Sequence, residues 1–574
     1  MTSGPKRAER RLDLVLLWHL HQPDYRDYAT GEFRLPWVYL HAIKDYSDMA
    51  WHLEHHPGVQ VVVNFAPVLL DQIEDYTDQF VKGKLRDPLL RLLTHPDDKP
   101  ISEEHRTFIV ERCFHANHER MIEPYPAYKD LHNLFTVLEA RGPDAMHYLS
   151  DQYYFDLLTW YHLCWTGETV RRGTEMVTRL MAKGMRFSHR DRLELFKVIG
   201  GIISGIIPRY AKLAASGRVE LSTTPHYHPL APLLIRFDTA REAEPQLTLP
   251  QSPEYPGGYE RVESQLRTAI ADHTRRFGEA PAGVWPAEGA ISSAFIRILG
   301  AQGCKWTASG AKVLMNSLHG REEDLRGKLY RPYRHTTAAP DLALFFRDDR
   351  LSDLIGFEYA KWNGHDAAAN FVSEIEAIAS DVSHGETPLV SVILDGENCW
   401  EYYPYNGYYF LEELYRILET HSAIRTTTYR AYLSEASTGA ATLDRITSGS
   451  WVYGNFTTWI GSADKNRAWD LLCAAKHSFD LVIASGRLNK KQVATAYRQL
   501  AACEASDWFW WLGDYNPSFA VESFDQLYRD NLGNLYRLLK LSLPAHLALP
   551  LSHGKGTPET GGAMRRAVEQ AEGT

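Results

Sequence analysis

The stretch "VILDGENCW" (392–400) carries three apolar strand-formers straight into two acids, Asp395 and Glu397, and then into an aromatic ring, Trp400. Tyr402, Tyr403, Tyr405 and Tyr408 follow at once. A turn accounts for Asp-Gly, because glycine accepts positive φ and aspartate bonds its own backbone, but it does not account for the rings. A third acid, Glu288, ends another apolar run in Trp285-Pro-Ala-Glu288. Cleavage of a glycosidic bond needs such acids in pairs. One carboxyl protonates the leaving oxygen, and a carboxylate meets the developing oxocarbenium ion. An apolar wall keeps one carboxyl protonated at neutral pH while its partner stays ionised in a more polar setting. Flat amphipathic rings also suit the apolar faces of sugars. On this reading Glu288 and Asp395 are the candidate pair, with Trp285 and Trp400 beside them.

Other chemistries compete for the same region. His19/His21 and His226/His228 are H-x-H pairs, and in a strand such spacing puts both rings on one face. With an acid they would suit zinc, and without one they serve as neutral hydrogen-bonding groups for hydroxyls. A serine nucleophile lacks its G-x-S-x-G elbow, and Cys399 has no identifiable base. The glycine-rich "GGIISG" (200–205) follows no strand and fits no phosphate-binding fingerprint, so it reads as a helix-packing segment.

These side chains need a scaffold that gathers them at one end. Seven short, near-continuously apolar runs read as strands: 12–20, 59–65, 219–223, 283–287, 305–308, 342–346 and 389–394. That pattern belongs to parallel strands buried on both faces. Helical patterns separate them, among them 259–278 and 291–303, the latter ending in Gly303 as a C-cap. The polar and titratable residues follow the strands, which is where parallel α/β barrels build their active sites. The organisation expected is a flexible N-terminus over 1–10, a barrel over 11–404 with a helical excursion at about 70–215, a helical domain over 405–551, and a disordered tail from 552. An open doubly wound sheet remains the alternative.

At 574 residues, the chain exceeds the roughly 250–300 at which one core stops growing. A net charge of −10 gives no basic face for nucleic acid and no polybasic membrane patch. The six cysteines form no C-x-x-C pair, which suits free thiols in a reducing compartment. The N-terminal apolar run is too short, and too interrupted by Asp13 and two histidines, for a signal peptide. No stretch approaches the roughly 20 apolar residues of a membrane span. A cytoplasmic protein with no cofactor is the expectation, its oligomeric state open.

With these residues assembled, the chain resembles glycoside hydrolase family 57. The resemblance rests on four ordered motifs: "WHLHQPDY" (18–25), "GRVELSTTPHYHPLAPLL" (217–234), "GVWPAEGA" (283–290) and "LDGENCWEYYPYNG" (394–407). "GSWVYGNFTTWIG" (449–461) and "SDWFWWLGD" (506–514) resemble the family's aromatic-rich segments. The resemblance implies an incomplete (β/α)7 barrel followed by a helical domain, and a retaining enzyme acting on α-glucan or maltooligosaccharide. It further implies Glu288 as nucleophile and Asp395 as acid/base. His19, His21, His226, His228, Trp285, Glu397, Trp400, Trp459 and Trp508 are then the substrate-binding candidates. The preferred activity is α-1,4-glucan hydrolysis of the α-amylase/amylopullulanase type. The alternatives are a 4-α-glucanotransferase or branching enzyme, a metal-dependent carbohydrate deacetylase, and a non-catalytic glucan-binding protein.

Overall fold

A computed structural model describes residues 12–320, 325, 327–381, 387–435, 439–556 and 563–565. The expected flexible segment 1–10 lies outside them. Ten strands form one sheet: β1 (Leu12–Leu20), β2 (Val61–Phe65), β3 (Val219–Thr223), β4 (Gly283–Val284), β5 (Trp306–Gly310), β6 (Tyr333–His335), β7 (Ala339–Arg347), β8 (Leu389–Asp395), β9 (Ile424–Thr426) and β10 (Ala441–Leu443). Its order is β10-β6-β7-β5-β4-β3-β2-β1-β8, with β9 paired to β1. The central path β8-β1-β2-β3-β4-β5-β7 is parallel throughout and uses all seven expected strands. This is the incomplete (β/α)7 barrel. At its seam Asp348 N donates to Ser391 O at 2.8 Å, and the Arg347 guanidinium donates to Ile393 O at 3.0 Å.

Strand parity explains what each face holds, because alternate side chains point to opposite faces. Val15 and Leu17 of β1, Val62, Ala308, Ala343, Phe345 and Ile393 pack together inside the barrel. Leu14, Leu16, Trp18, Val61, Val63 and Val392 join the outer core under the helices. Continuing the inner parity to the strand ends reaches His19, Asn64, Ser222 and Asp395. These are register neighbours: His19 pairs with Asp395 on one side and with Asn64 on the other, and Asn64 pairs with Ser222. One polar layer thus tops an apolar barrel. At the opposite end Tyr429 and Tyr432 plug the interior. Glu220 there accepts from the Trp306 indole at 2.7 Å and from Arg430 N at 2.8 Å.

Between β2 and β3 the chain makes its helical excursion, from Pro67–Lys82 to His189–Ala215. The last helix is long and apolar enough to cross a membrane by length and composition. Here it buries Leu195, Ile199, Ile203, Ile206 and Tyr210. Gly200 lets it approach the excursion's first helix so closely that a Cβ would meet the Phe80 ring at 2.5 Å, which accounts for the first glycine of "GGIISG".

Two expected boundaries differ from the structure. The sheet does not end at 404, since β9 and β10 return to pair with β1 and β6. Short strands of three residues carry too little pattern to stand out among helices. The expected tail begins in packed chain: Ser552 is buried, accepts from Gly513 N and donates to Asp464.

Candidate active site

Glu288 sits just past β4, in a turn with φ 58° and ψ 22°. The left-handed region is uncommon for a residue with a side chain and marks a position whose direction is imposed by its surroundings. Segment 449–451 supplies that constraint. Ile291 N donates to Gly449 O at 3.0 Å and Trp451 N to Glu288 O at 3.0 Å. The carboxyl is held at both oxygens: Ser506 Oγ donates to Oε1 at 2.9 Å, and Trp451 Nε1 to Oε2 at 3.2 Å. Asp395, at the end of β8, receives Asn398 Nδ2 at 2.8 Å.

Histidines link the two acids' strands. His19 Nδ1 donates to Asn64 Oδ1 at 2.7 Å, and its Nε2 meets His228 Nε2 at 3.0 Å. His228 Nδ1 meets Ser506 Oγ at 2.9 Å. His21 stacks on His228 with ring centroids 3.7 Å apart, and its Nε2 donates to Asp507 at 2.9 Å. Burial, with His21 beside it, pushes His19 down to about 3; burial and the other two rings hold His228 well below the usual imidazole range. Both rings are therefore neutral at pH 7, their nitrogens committed to Asn64, to Ser506 and to each other.

The two acids move the other way. Burial first, then the negative charges of Asp507 and Asp395, pushes Glu288 up to about 8, against the donors Ser506 and Trp451. Burial pushes Asp395 up to about 6, opposed by Asn398, His21 and Arg347 and assisted by Asp507. Between those values the proton rests mainly on Glu288 and Asp395 is ionised, so the arrangement with the proton on Asp395, which a Glu288 nucleophile needs, is the minor form of the same singly protonated pair.

Six expected residues gather at this end of the barrel: Glu288, Asp395, His19, His21, His228 and Trp285, whose ring lies 6.4 Å from His19 and 5.3 Å from Trp451. The Trp285 indole Nε1 is buried without a hydrogen-bond partner. Glu397 lies beneath, where its Oε1 accepts from His21 N, Gln22 Nε2 and Tyr46 OH and fixes the loop after β1. Four expected residues lie elsewhere. His226 is clamped between Asp71 at 2.9 Å and Asp272 at 3.1 Å; although burial opposes it, these acids push the ring up to about 9. Trp400 packs under Gly407 against Trp18. Trp459 is wholly buried beside Trp510, and Trp508 is buried against Tyr528. Their rings serve the core.

Asn64, Trp451, Ser506 and Asp507 were not singled out from the sequence. Asn64 left a signal, a lone amide in "VVVNF". Ser506 and Asp507 lie in a segment stitched to β3's loop by Ser506 N donating to His228 O at 2.9 Å. The segment is anchored by fully buried Glu504, which accepts from Arg261 at 2.7 and 2.9 Å and from Tyr255 OH at 2.6 Å. Glu504→Ala leaves the Arg261 guanidinium buried without its anion, so it is expected to cost about 3–5 kcal/mol. Thermal and denaturant unfolding measure this, and a loss within 0–1 kcal/mol, the range of a surface pair, would refute it.

His21, His228 and Asp507 lie within 4.8 Å of one another. Both His228 nitrogens are already engaged by Ser506 and His19, and His21 Nε2 by Asp507, so the trio offers an ion no free imidazole pair. Asp71, His226 and Asp272 form a second such group, balanced by Arg276, which donates to Asp71.

Two acids and neutral histidines at the C-terminal ends of parallel barrel strands define a carbohydrate-processing type of site. The model of glycosyl hydrolase family 57 matches residues 15–441, and the chain belongs to that family; it is an enzyme. A comparison with curated protein sequences returns no significant match. Among solved structures, the fold is similar to a family 57 branching enzyme from Thermococcus kodakaraensis, with TM-score 0.55, 16% identity, and 92% of this chain and 89% of that one covered. It is similar to the branching enzyme from Pyrococcus horikoshii, with TM-score 0.55, 17% identity, and 94% and 96% covered. It is also similar to the α-amylase AmyC from Thermotoga maritima, with TM-score 0.55, 13% identity, and 92% and 94% covered.

Proposed function

We propose that this chain is a retaining, cytoplasmic α-glucan hydrolase, cleaving α-1,4 bonds by double displacement. Glu288 attacks the anomeric carbon and forms a glycosyl-enzyme as the C–O bond to the leaving sugar breaks. Asp395 gives its proton to that leaving oxygen. Asp395, now ionised, takes a proton from the incoming water as the C–O bond to Glu288 breaks. His19 and His228 supply uncharged contacts to sugar hydroxyls, His21 stacks beside His228, and Trp285 offers an indole N–H. The observation that carries this reading is the placement of Glu288 and Asp395 at the same end of the barrel, Glu288 buried and Asp395 partly so, each with its own donors.

Transfer is the second reading, favoured by the branching enzymes among the structural neighbours. A sugar hydroxyl would then replace water at the same step. Incubation with maltoheptaose, with products resolved by chromatography and new reducing ends counted, separates the two. Hydrolysis gives short products with rising reducing ends. Products longer than seven units at constant reducing ends make the enzyme a 4-α-glucanotransferase, and new α-1,6 linkages make it a branching enzyme. An inert wild type overturns both.

The pH profile follows from the pair. kcat/KM is expected to be bell-shaped, with limbs near 6 and 8, because activity needs one proton shared by Glu288 and Asp395. The Asp507 charge raises both groups, so removing it lowers both. Asp507→Asn should therefore shift both limbs to lower pH. Limbs that stay in place while the rate falls uniformly would refute this electrostatic role.

A further inference from the structure

Away from this site, the sequence "HLEHH" (52–56) puts His52 and His56 four positions apart at the end of the helix Ser47–His55. Glu412 faces them from the helix Tyr408–Thr420. The three offer ligating atoms within 4.8 Å of one another. Glu412 Oε2 lies 3.4 Å from His52 Nδ1 and 3.2 Å from His56 Nε2. One carboxylate oxygen thus confronts two imidazole nitrogens.

Hydrogen-bond bookkeeping leaves this arrangement incomplete. His56 Nδ1 donates to Glu419 Oε2 at 3.0 Å, and Glu419 Oε1 is fixed by Gly58 N at 2.8 Å. In a neutral ring that tautomer leaves Nε2 as a bare lone pair aimed at Glu412. His52 is 1% exposed, its Nδ1 is buried without a hydrogen-bond partner, and an unpartnered buried polar atom is costly. A cation at the centre satisfies all three donors together.

We propose that His52, His56 and Glu412 form a structural site for a zinc-class divalent ion. Imidazole and carboxylate ligands at about 2.0–2.2 Å in a tetrahedron lie about 3.3–3.5 Å apart along each edge, which suits the two separations observed. Glu419 supplies the carboxylate behind the ligating histidine that orients its ring and fixes its tautomer. Glu412 is 36% exposed along its side chain, so water reaches the fourth position. The other two His/Asp groupings lack this character, since Arg276 balances one and the other has its His228 nitrogens engaged. The ion would join the helix that follows β1 to the helix that follows β8, the two strands paired next to the barrel's seam.

The test uses the full chain, stripped with chelator and dialysed, then titrated with Zn2+ or Co2+ against a large excess of Mg2+. Bound metal is counted by mass spectrometry, and the visible spectrum of Co2+ reports four-coordinate geometry. His52→Ala and the conservative, half-exposed Glu412→Gln are run alongside, with circular dichroism showing that each remains folded. The wild type should retain one more ion per chain than either variant. It should show the four-coordinate Co2+ bands and gain thermal stability on adding Zn2+, while the variants show neither. Equal uptake by wild type and Glu412→Gln, or no uptake by the wild type, overturns the site.

Discussion

Glu288→Gln is expected to lower turnover of maltoheptaose by about 10⁴-fold or more, the scale seen when a covalent nucleophile is removed. Glutamine keeps the size of the side chain, and its one amide oxygen can still accept from Ser506, whose hydroxyl bonds Oε1, while the amide NH2 replaces the oxygen that faced Trp451. What it lacks is the anionic oxygen that closes on the anomeric carbon. Binding should therefore change little, and the loss should lie in kcat. Added azide supplies an external anion from the face Glu288 occupies. Its N–C bond forms as the bond to the leaving sugar breaks, so the product is the β-glycosyl azide. A variant retaining more than a tenth of wild-type kcat would remove Glu288 from the reaction, and attention would pass to Asp507, the other carboxylate tied into the histidine cluster.

The scaffold was legible in the sequence because burial on both faces writes a strand as an unbroken apolar run, and all seven barrel strands fall where such runs stand. β9 and β10 were not, since three residues in a helix-rich region carry no pattern of their own. The acids were legible for a related reason: Glu288 and Asp395 interrupt apolar runs at the one end where parallel barrels place chemistry. Partners from remote segments were harder to read. Ser506 reaches Glu288 across 218 positions and Asp507 reaches His21 across 486, and neither spacing has a local signature. The tryptophans show the opposite failure. Trp285, Trp400, Trp459 and Trp508 look alike in sequence and are all buried, yet of the four only Trp285 packs against His19. Which face a ring presents is decided by tertiary packing such as Gly407 seating on Trp400. His226 and His228 differ by two positions and by everything else: one is fixed by Asp71 and Asp272, the other by His19 and Ser506. His228 is turned from its neighbour by its left-handed backbone, φ 58°.

Asp395→Asn separates the two roles, because the acid matters only as much as the leaving group needs it. With maltoheptaose the leaving group is a sugar alkoxide, and loss of the proton donor should cost about 10²–10⁴-fold. With a 4-nitrophenyl glycoside the departing phenolate is stable without protonation, so the first bond cleavage should proceed at near wild-type rate. Water then lacks its base, the glycosyl-enzyme accumulates, and 4-nitrophenolate appears as a burst of one equivalent followed by a slow phase. Azide, which needs no base, should restore turnover and give the α-glycosyl azide, because it enters on the face that Asp395 serves. The opposite anomers from the two variants form a single stereochemical test. β from Glu288→Gln and α from Asp395→Asn put the carboxyls on opposite faces of one sugar. The same anomer from both, or no burst from Asp395→Asn, would break the double-displacement assignment even if both variants were slow.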